Sequence, residues 1–253
     1  MLLVNRGVSV MTNEKRKSNI FFWIAISLSL ILSCVAIVLH FVTGEDELTA
    51  NDIYKQCMYN VVEVKAESET VGESFGTGEI ISSDGKIITN AHVVTYTRLG
   101  TVNEFKNYYI RFCFENDYRS VTLEKYDSEL DLAVLKLTDL SDLTLKPVKT
   151  GNSNDLKSGD KVFAVGNASN YGIGIFQGII SVPLVNIKLD NRIRSVIQCD
   201  LTIAAGNSGG ALLDEYGRLI GITTFRTKDN SGNVIYGIVY CIPINTVLEY
   251  TNE

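Results

Sequence analysis

The pattern of apolar and polar positions changes twice along the chain. From Ile20 to Leu39, twenty consecutive residues carry no charge, with Phe21, Phe22, Trp23 and Ile24 near the start. At 1.5 Å per residue a helix of that length spans about 30 Å, the thickness of a bilayer's hydrocarbon core. The pattern predicts a transmembrane anchor over residues 20–42. Arg6, Lys15, Arg16 and Lys17 make a basic segment, 1–19, before it, and Glu45, Asp46 and Glu47 follow. That asymmetry puts the N-terminus in the cytoplasm and the remainder outside, as a single-pass protein of the cell membrane. A cleaved signal peptide is the competing reading. Its apolar core would be shorter, and no clear small-x-small cleavage site closes this one.

A linker and short helix are expected over 43–59, with Thr49 as N-cap and Asp52 three residues on. Beyond Asn60 the pattern changes to short β-like runs. Short runs such as Val61–Val64, Gly78–Ile81, Lys86–Thr89, Tyr108–Phe114 and Leu132–Leu137 alternate with turns, of which Ser83-Asp84-Gly85 reads as a hairpin. Lys161–Val165, Gly178–Val182, Ser195–Cys199, Leu219–Thr224 and Val234–Ile242 continue the series. At least ten strands with little helix predict an all-β region, a sandwich or barrels. Residues 138–160 are polar and turn-rich, which divides residues 60–253 into lobes of about 60–145 and 155–250.

Composition narrows the partners. Four basic residues and one acid precede residue 43, so the remainder holds 19 basic and 28 acidic side chains. An acidic region without a basic patch argues against nucleic-acid binding. The five cysteines form no CxxC pair and no metal-ligand spacing with histidine, so neither a metal nor a cofactor is expected. Buried free thiols are the expected state of those outside the anchor.

Candidate chemistry begins at Gly206-Asn207-Ser208-Gly209-Gly210. Glycines around a serine let the backbone turn sharply and approach a ligand, and such a turn can aim backbone N–H groups at one developing oxyanion. A plain surface turn has the same composition. The G-x-S-x-G spacing also fits the nucleophile elbow of α/β-hydrolases, but that fold needs a histidine after the serine. None follows here. The chain has only His40, beside the apolar run, and His92. His92 is the candidate general base, because imidazole titrates near neutrality. Asp131, at the mouth of the apolar run Leu132–Leu137, is the best candidate to orient it, whereas Asp127 and Glu129 read as solvated turn residues.

The order His92, Asp131, Ser208 on a two-lobed β protein is that of the chymotrypsin architecture. Phe75-Gly76-Thr77-Gly78, Thr89-Asn90-Ala91-His92-Val93-Val94, Asp131-Leu132-Ala133-Val134-Leu135-Lys136 and Gly206-Asn207-Ser208-Gly209-Gly210-Ala211-Leu212 together resemble the HtrA/DegP branch of trypsin-like serine proteases. The resemblance covers about residues 50–248. It implies two six-stranded β-barrels with the active site between them, and a serine endopeptidase acting on protein or peptide substrates. In that scheme Ser208 attacks, His92 shuttles the proton and Asp131 orients His92. Gly206, Asn207 and Ser208 form the oxyanion hole, and Thr202, Ile203, Ile222, Thr223 and Thr224 line the primary specificity pocket. Thr202 stands where trypsin-type pockets carry an acid, so small or medium apolar side chains are the expected preference. Asn207 replaces the aspartate that pairs with a new N-terminus in digestive relatives, which argues against activation by N-terminal cleavage.

The resemblance further implies a homotrimer, and it sets Cys199 and Cys241 on neighbouring strands. Two departures stand out. Ala204-Ala205 replace the usual Asn followed by Pro or a similar residue, and the chain ends at Glu253, where HtrA proteins commonly continue into a PDZ domain. A protease lacking that domain is the expectation. A latent or non-proteolytic binding module on the same fold is the alternative.

Overall fold

The computed structural model describes residues 13–43, 46–189, 192–228 and 234–252. Two compact units divide the chain, Met1–Asp46 and Glu47–Glu253. The first holds the helix α1 (Asn13–Thr43). Its segment Asn19–Val38 has a mean hydropathy of 2.6, and none of it is buried by protein. Phe21, Phe22 and Trp23 all stand exposed. A helix apolar on every side over that length is long enough to cross a bilayer.

The second unit opens with α2 (Ala50–Cys57), whose start is set by a capping box. The Asp52 N–H donates to Thr49 Oγ1 (3.2 Å) and the Thr49 N–H donates to the Asp52 carboxylate (3.3 Å). Ile53 and Cys57 on its inner face are buried. Two closed six-stranded barrels follow, as the resemblance implied. The first is built from β1 (Val61–Ser68), β2 (Gly72–Ile80), β3 (Lys86–Thr89), β6 (Asn107–Phe112), β7 (Arg119–Asp127) and β8 (Leu132–Leu137), in the order β1-β2-β3-β8-β7-β6. The second comprises β9 (Lys161–Gly166), β10 (Gly174–Leu189), β11 (Arg192–Asp200), β12 (Ala211–Asp214), β13 (Leu219–Lys228) and β14 (Val234–Pro243), in the order β10-β11-β14-β13-β12-β9. Between β3 and β6 lie a short helix α3 (Ala91–Val94) and a separate hairpin, β4 (Thr95–Arg98) with β5 (Thr101–Glu104). A helix α4 (Ile244–Asn252) closes the chain.

Period-two patterning works here with two cores rather than a core and solvent. On β8, Ala133, Leu135 and Leu137 fill the first barrel, while Leu132 and Val134 belong to a second cluster with Phe163, Val165, Ala211, Leu213 and Ile222. On β9, Val162 and Ala164 turn the other way, into the second barrel with Ile180, Ile197 and Leu212. The second cluster thus joins residues of both barrels, and the strands that carry the candidate site meet across it. β4–β5 and α4 were not anticipated, and β10 runs well past the expected Gly178–Val182. All five cysteines are free. Cys199 and Cys241 lie buried on the paired strands β11 and β14 without a bridge, and Cys113 is only half-buried.

Candidate active site

β3 and β8 are neighbours, with Thr89 opposite Ala133, so the end of one strand and the start of the other come together. Those ends carry His92 and Asp131. His92 Nδ1 lies 3.0 Å from Asp131 Oδ1 and 2.9 Å from Oδ2, and the His92 backbone N–H donates to Oδ1 (3.1 Å). This places the ring proton on Nδ1 and leaves Nε2, on a half-exposed ring, as the basic nitrogen. Asp131 has φ +60°, a conformation that aspartate tolerates better than most residues. The Asn90 side-chain amide donates to the Asp131 carbonyl oxygen (2.8 Å) and helps hold it there. Burial pushes the Asp131 carboxyl up, but the hydrogen bonds and charge of His92 and the Thr224 hydroxyl outweigh it and leave the group below its ordinary value. The carboxylate is therefore ionised at neutral pH.

Ser208 reaches the same place from the second barrel. Its hydroxyl donates to the Thr224 carbonyl oxygen (3.0 Å), and the Thr224 hydroxyl donates to Asp131 Oδ2 (2.6 Å). One residue of β13 touches both. No hydrogen bond joins Ser208 to His92 in this resting arrangement.

Around Ser208 the peptide planes are set one by one. In a trans peptide the N–H and C=O point opposite ways, so fixing the carbonyl aims the N–H. The Ala205 carbonyl accepts from the Ser169 N–H (2.6 Å), which turns the Gly206 N–H to the other side. The Asn207 carbonyl accepts from the Thr223 hydroxyl (2.5 Å) and the Gly210 N–H (3.0 Å), which does the same for the Ser208 N–H. Neither the Gly206 nor the Ser208 N–H has an acceptor among the described residues. Gly206 has φ +94°, and a Cβ there would overlap the Asn167 carbonyl oxygen, so only glycine fits. The Asn207 N–H, by contrast, donates to the Ala204 carbonyl (3.2 Å). Of the three residues expected to form an oxyanion hole, Asn207 brings no free backbone donor.

The five residues expected in a specificity pocket divide. Thr202 is exposed. Ile203 and Ile222 are buried in core clusters, Ile222 among Val165, Ala211 and Ile242. The Thr223 and Thr224 hydroxyls are spent on Asn207 and Asp131. Apart from Thr202, all of this set is buried. Sequence reasoning gave no role to Asn90, Thr77 or the turn at Asn167–Ser169. The only signal was that Thr77 and Asn90 stand inside the quoted motifs.

A fold of two six-stranded barrels, with a His–Asp pair from one and a glycine-bound serine from the other, defines a class of trypsin-like peptidases. The trypsin-like peptidase domain family matches residues 76–222, and the chain belongs to that family. It is 36% identical over 182 residues to a probable periplasmic serine endoprotease, DegP-like, of Buchnera aphidicola, covering 71% of this chain and 36% of the relative. It is 34% identical over 192 residues to Protease Do-like 5, chloroplastic, of Arabidopsis thaliana, covering 70% and 55%. A serine protease HtrA-like of Staphylococcus epidermidis is 32% identical over 235 residues, covering 83% and 38%. The chain thus spans about a third to a little over half of these relatives' length. Among solved structures, the HtrA-type protease AlgW with tripeptide superposes with a TM-score of 0.69 at 29% identity, over 81% of this chain and 63% of that one.

Proposed function

We propose that this protein is a membrane-anchored, extracytoplasmic serine endopeptidase that cleaves misfolded or regulatory proteins near the membrane. Ser208 is the nucleophile, His92 the general base and Asp131 the group that orients it, with the Gly206 and Ser208 N–H groups receiving the oxyanion. The observation that carries this reading is the convergence on Thr224, which takes the Ser208 hydroxyl at its carbonyl and gives its own hydroxyl to Asp131. In the reaction the Ser208 side chain turns from Thr224 to His92 Nε2, since catalytic hydrogen bonds often form only with substrate present. The apolar helix α1 supports anchoring, and the periplasmic and chloroplastic naming of the relatives fits an extracytoplasmic location.

The resting bond from Ser208 to Thr224 also favours a second reading, a latent or non-proteolytic binding module. A fluorophosphonate probe separates the two. Ser208-dependent labelling and casein cleavage, both abolished in Ser208→Ala, are expected. Equal signals from wild type and Ser208→Ala under every condition tried would favour the binding module.

A further inference from the structure

Thr77 lies on β2, in the middle of the first barrel's wall, and is fully buried. All three of its polar groups are engaged, in four hydrogen bonds of which three reach the second barrel. Its hydroxyl donates to the Gly206 carbonyl oxygen (2.7 Å) and accepts from the Asn167 N–H (2.9 Å). Its backbone N–H donates to the Ser208 carbonyl (2.8 Å). Its own carbonyl accepts from the Thr89 hydroxyl (2.7 Å), which ties it back to β3.

The consequence follows from the peptide planes. The two free donors belong to the 205–206 and 207–208 peptides, and the 206–207 peptide between them is held by the Thr77 hydroxyl. The same hydroxyl fixes Asn167, which begins the 3-10 turn Ala168–Asn170. That turn supplies the Ser169 N–H that pins the Ala205 carbonyl. Ser169 and Asn170 both have positive φ, 56° and 61°, a conformation that asparagine tolerates but serine seldom adopts, so the turn has to be held at Ser169. With Ala204-Ala205 in the loop, no proline stiffens the backbone before Gly206. Stiffness has to come from outside the loop, and among the described residues the Thr77 hydroxyl is the one side-chain group with hydrogen bonds to both the loop and the turn that latches it.

We infer that Thr77 is a positioning residue that sets the oxyanion hole, aligning the Gly206 and Ser208 donors from the opposite barrel through its bonds to Gly206 and Asn167. This rests on the hole assigned to those donors above. A hydroxyl acting in this way is felt where charge develops on the substrate oxygen and hardly at all in ground-state binding.

The test compares Thr77→Val, which keeps the shape and removes the hydroxyl, with Thr77→Ser, which keeps the hydroxyl. For a peptide substrate, Thr77→Val is expected to lower kcat by roughly 10–100-fold with KM changed less than about threefold, and Thr77→Ser to stay within about threefold of wild type. Affinity for a peptide boronic acid, which mimics the tetrahedral adduct, is expected to fall in parallel with kcat/KM, while affinity for a cleaved product peptide stays level. A merely structural role would move product binding and the thermal midpoint together with kcat. Either that pattern or full activity in a folded Thr77→Val overturns the inference. So does failure of both Thr77→Val and Thr77→Ala to fold while Thr77→Ser is active. If wild type and Ser208→Ala are equally inert, it is the catalytic reading itself that has failed.

Discussion

Asn207 marks the boundary between what one residue can do in the catalytic loop and what its neighbours must do for it. The side chain is buried, and neither amide atom has a hydrogen-bond partner. A neutral amide pays a modest desolvation cost there, whereas a carboxylate with no counter-charge pays far more. Asn207→Asp should therefore have a raised carboxyl pKa in the folded state. A raised value favours the protonated folded form, so stability should be near wild type at about pH 4 and fall as pH rises above the unfolded value. A shift of two to three units corresponds to a loss of about 3–4 kcal/mol at neutral pH. Urea unfolding at the two pH values measures it, and a loss independent of pH would contradict the account. At this scale the candidate reactive groups were readable, because His92 is one of only two histidines and Asp131 and Ser208 follow it in a telling order. Thr77, Asn90 and Thr223 were not. They act through backbone carbonyls that only the closed barrels bring within reach, and a threonine in a β-run gives no sign of which carbonyl it will meet. Ile222 misled for a related reason: its strand was identified, but only the packing shows that it faces Val165 and Ile242.

Elements were more legible than contacts. Runs such as Lys86–Thr89, Leu132–Leu137 and Lys161–Val165 fall on strands because each has adjacent apolar positions, one face for each of two cores. The β4–β5 hairpin escaped because Thr95–Arg98 and Thr101–Glu104 carry mostly polar or exposed side chains and pack little. β10 was cut short in the reading because its outer half alternates with exposed Leu184, Asn186 and Lys188. β2 holds an element-scale anomaly in Glu79, which is fully buried with only the Ala211 backbone N–H to offset the loss of water around its carboxyl group. Burial pushes its pKa well above the ordinary value of 4.5, and the nearby Cys57 thiol is raised by its own burial first and by Glu79 second. The sign is that of Asn207→Asp. The folded state keeps the proton, so stability drains away as pH climbs from about 4.5 toward the raised value. Glu79→Gln removes the titration and should raise Tm above pH 7, by about 2–4 °C for each kcal/mol recovered, while changing little at pH 4. Calorimetry across that range decides it. A Tm difference that does not grow with pH would mean that Glu79 is ionised in the fold.

For the whole molecule, the acidic barrel unit and the apolar helix make opposite demands on solvent. The barrels bury their apolar positions in three clusters and carry most of the negative charge, while Asn19–Val38 shows apolar side chains on every face. About twenty such residues favour a bilayer strongly, and the basic residues before them favour the cytoplasmic side. A tether of that kind would restrict the protease to substrates that come near the membrane. The full chain should stay in the membrane pellet through carbonate extraction, and a protease added outside intact cells or spheroplasts should reach the barrels. A chain starting at Glu47, exported by a cleavable leader, should be soluble and keep its Ser208-dependent probe labelling within about threefold, because the catalytic groups all lie beyond that point. N-terminal sequencing of the native protein gives the opposing outcome a clear form. A mature terminus after residue 38, with the protein in the soluble fraction, would make α1 a signal sequence and the enzyme a released one.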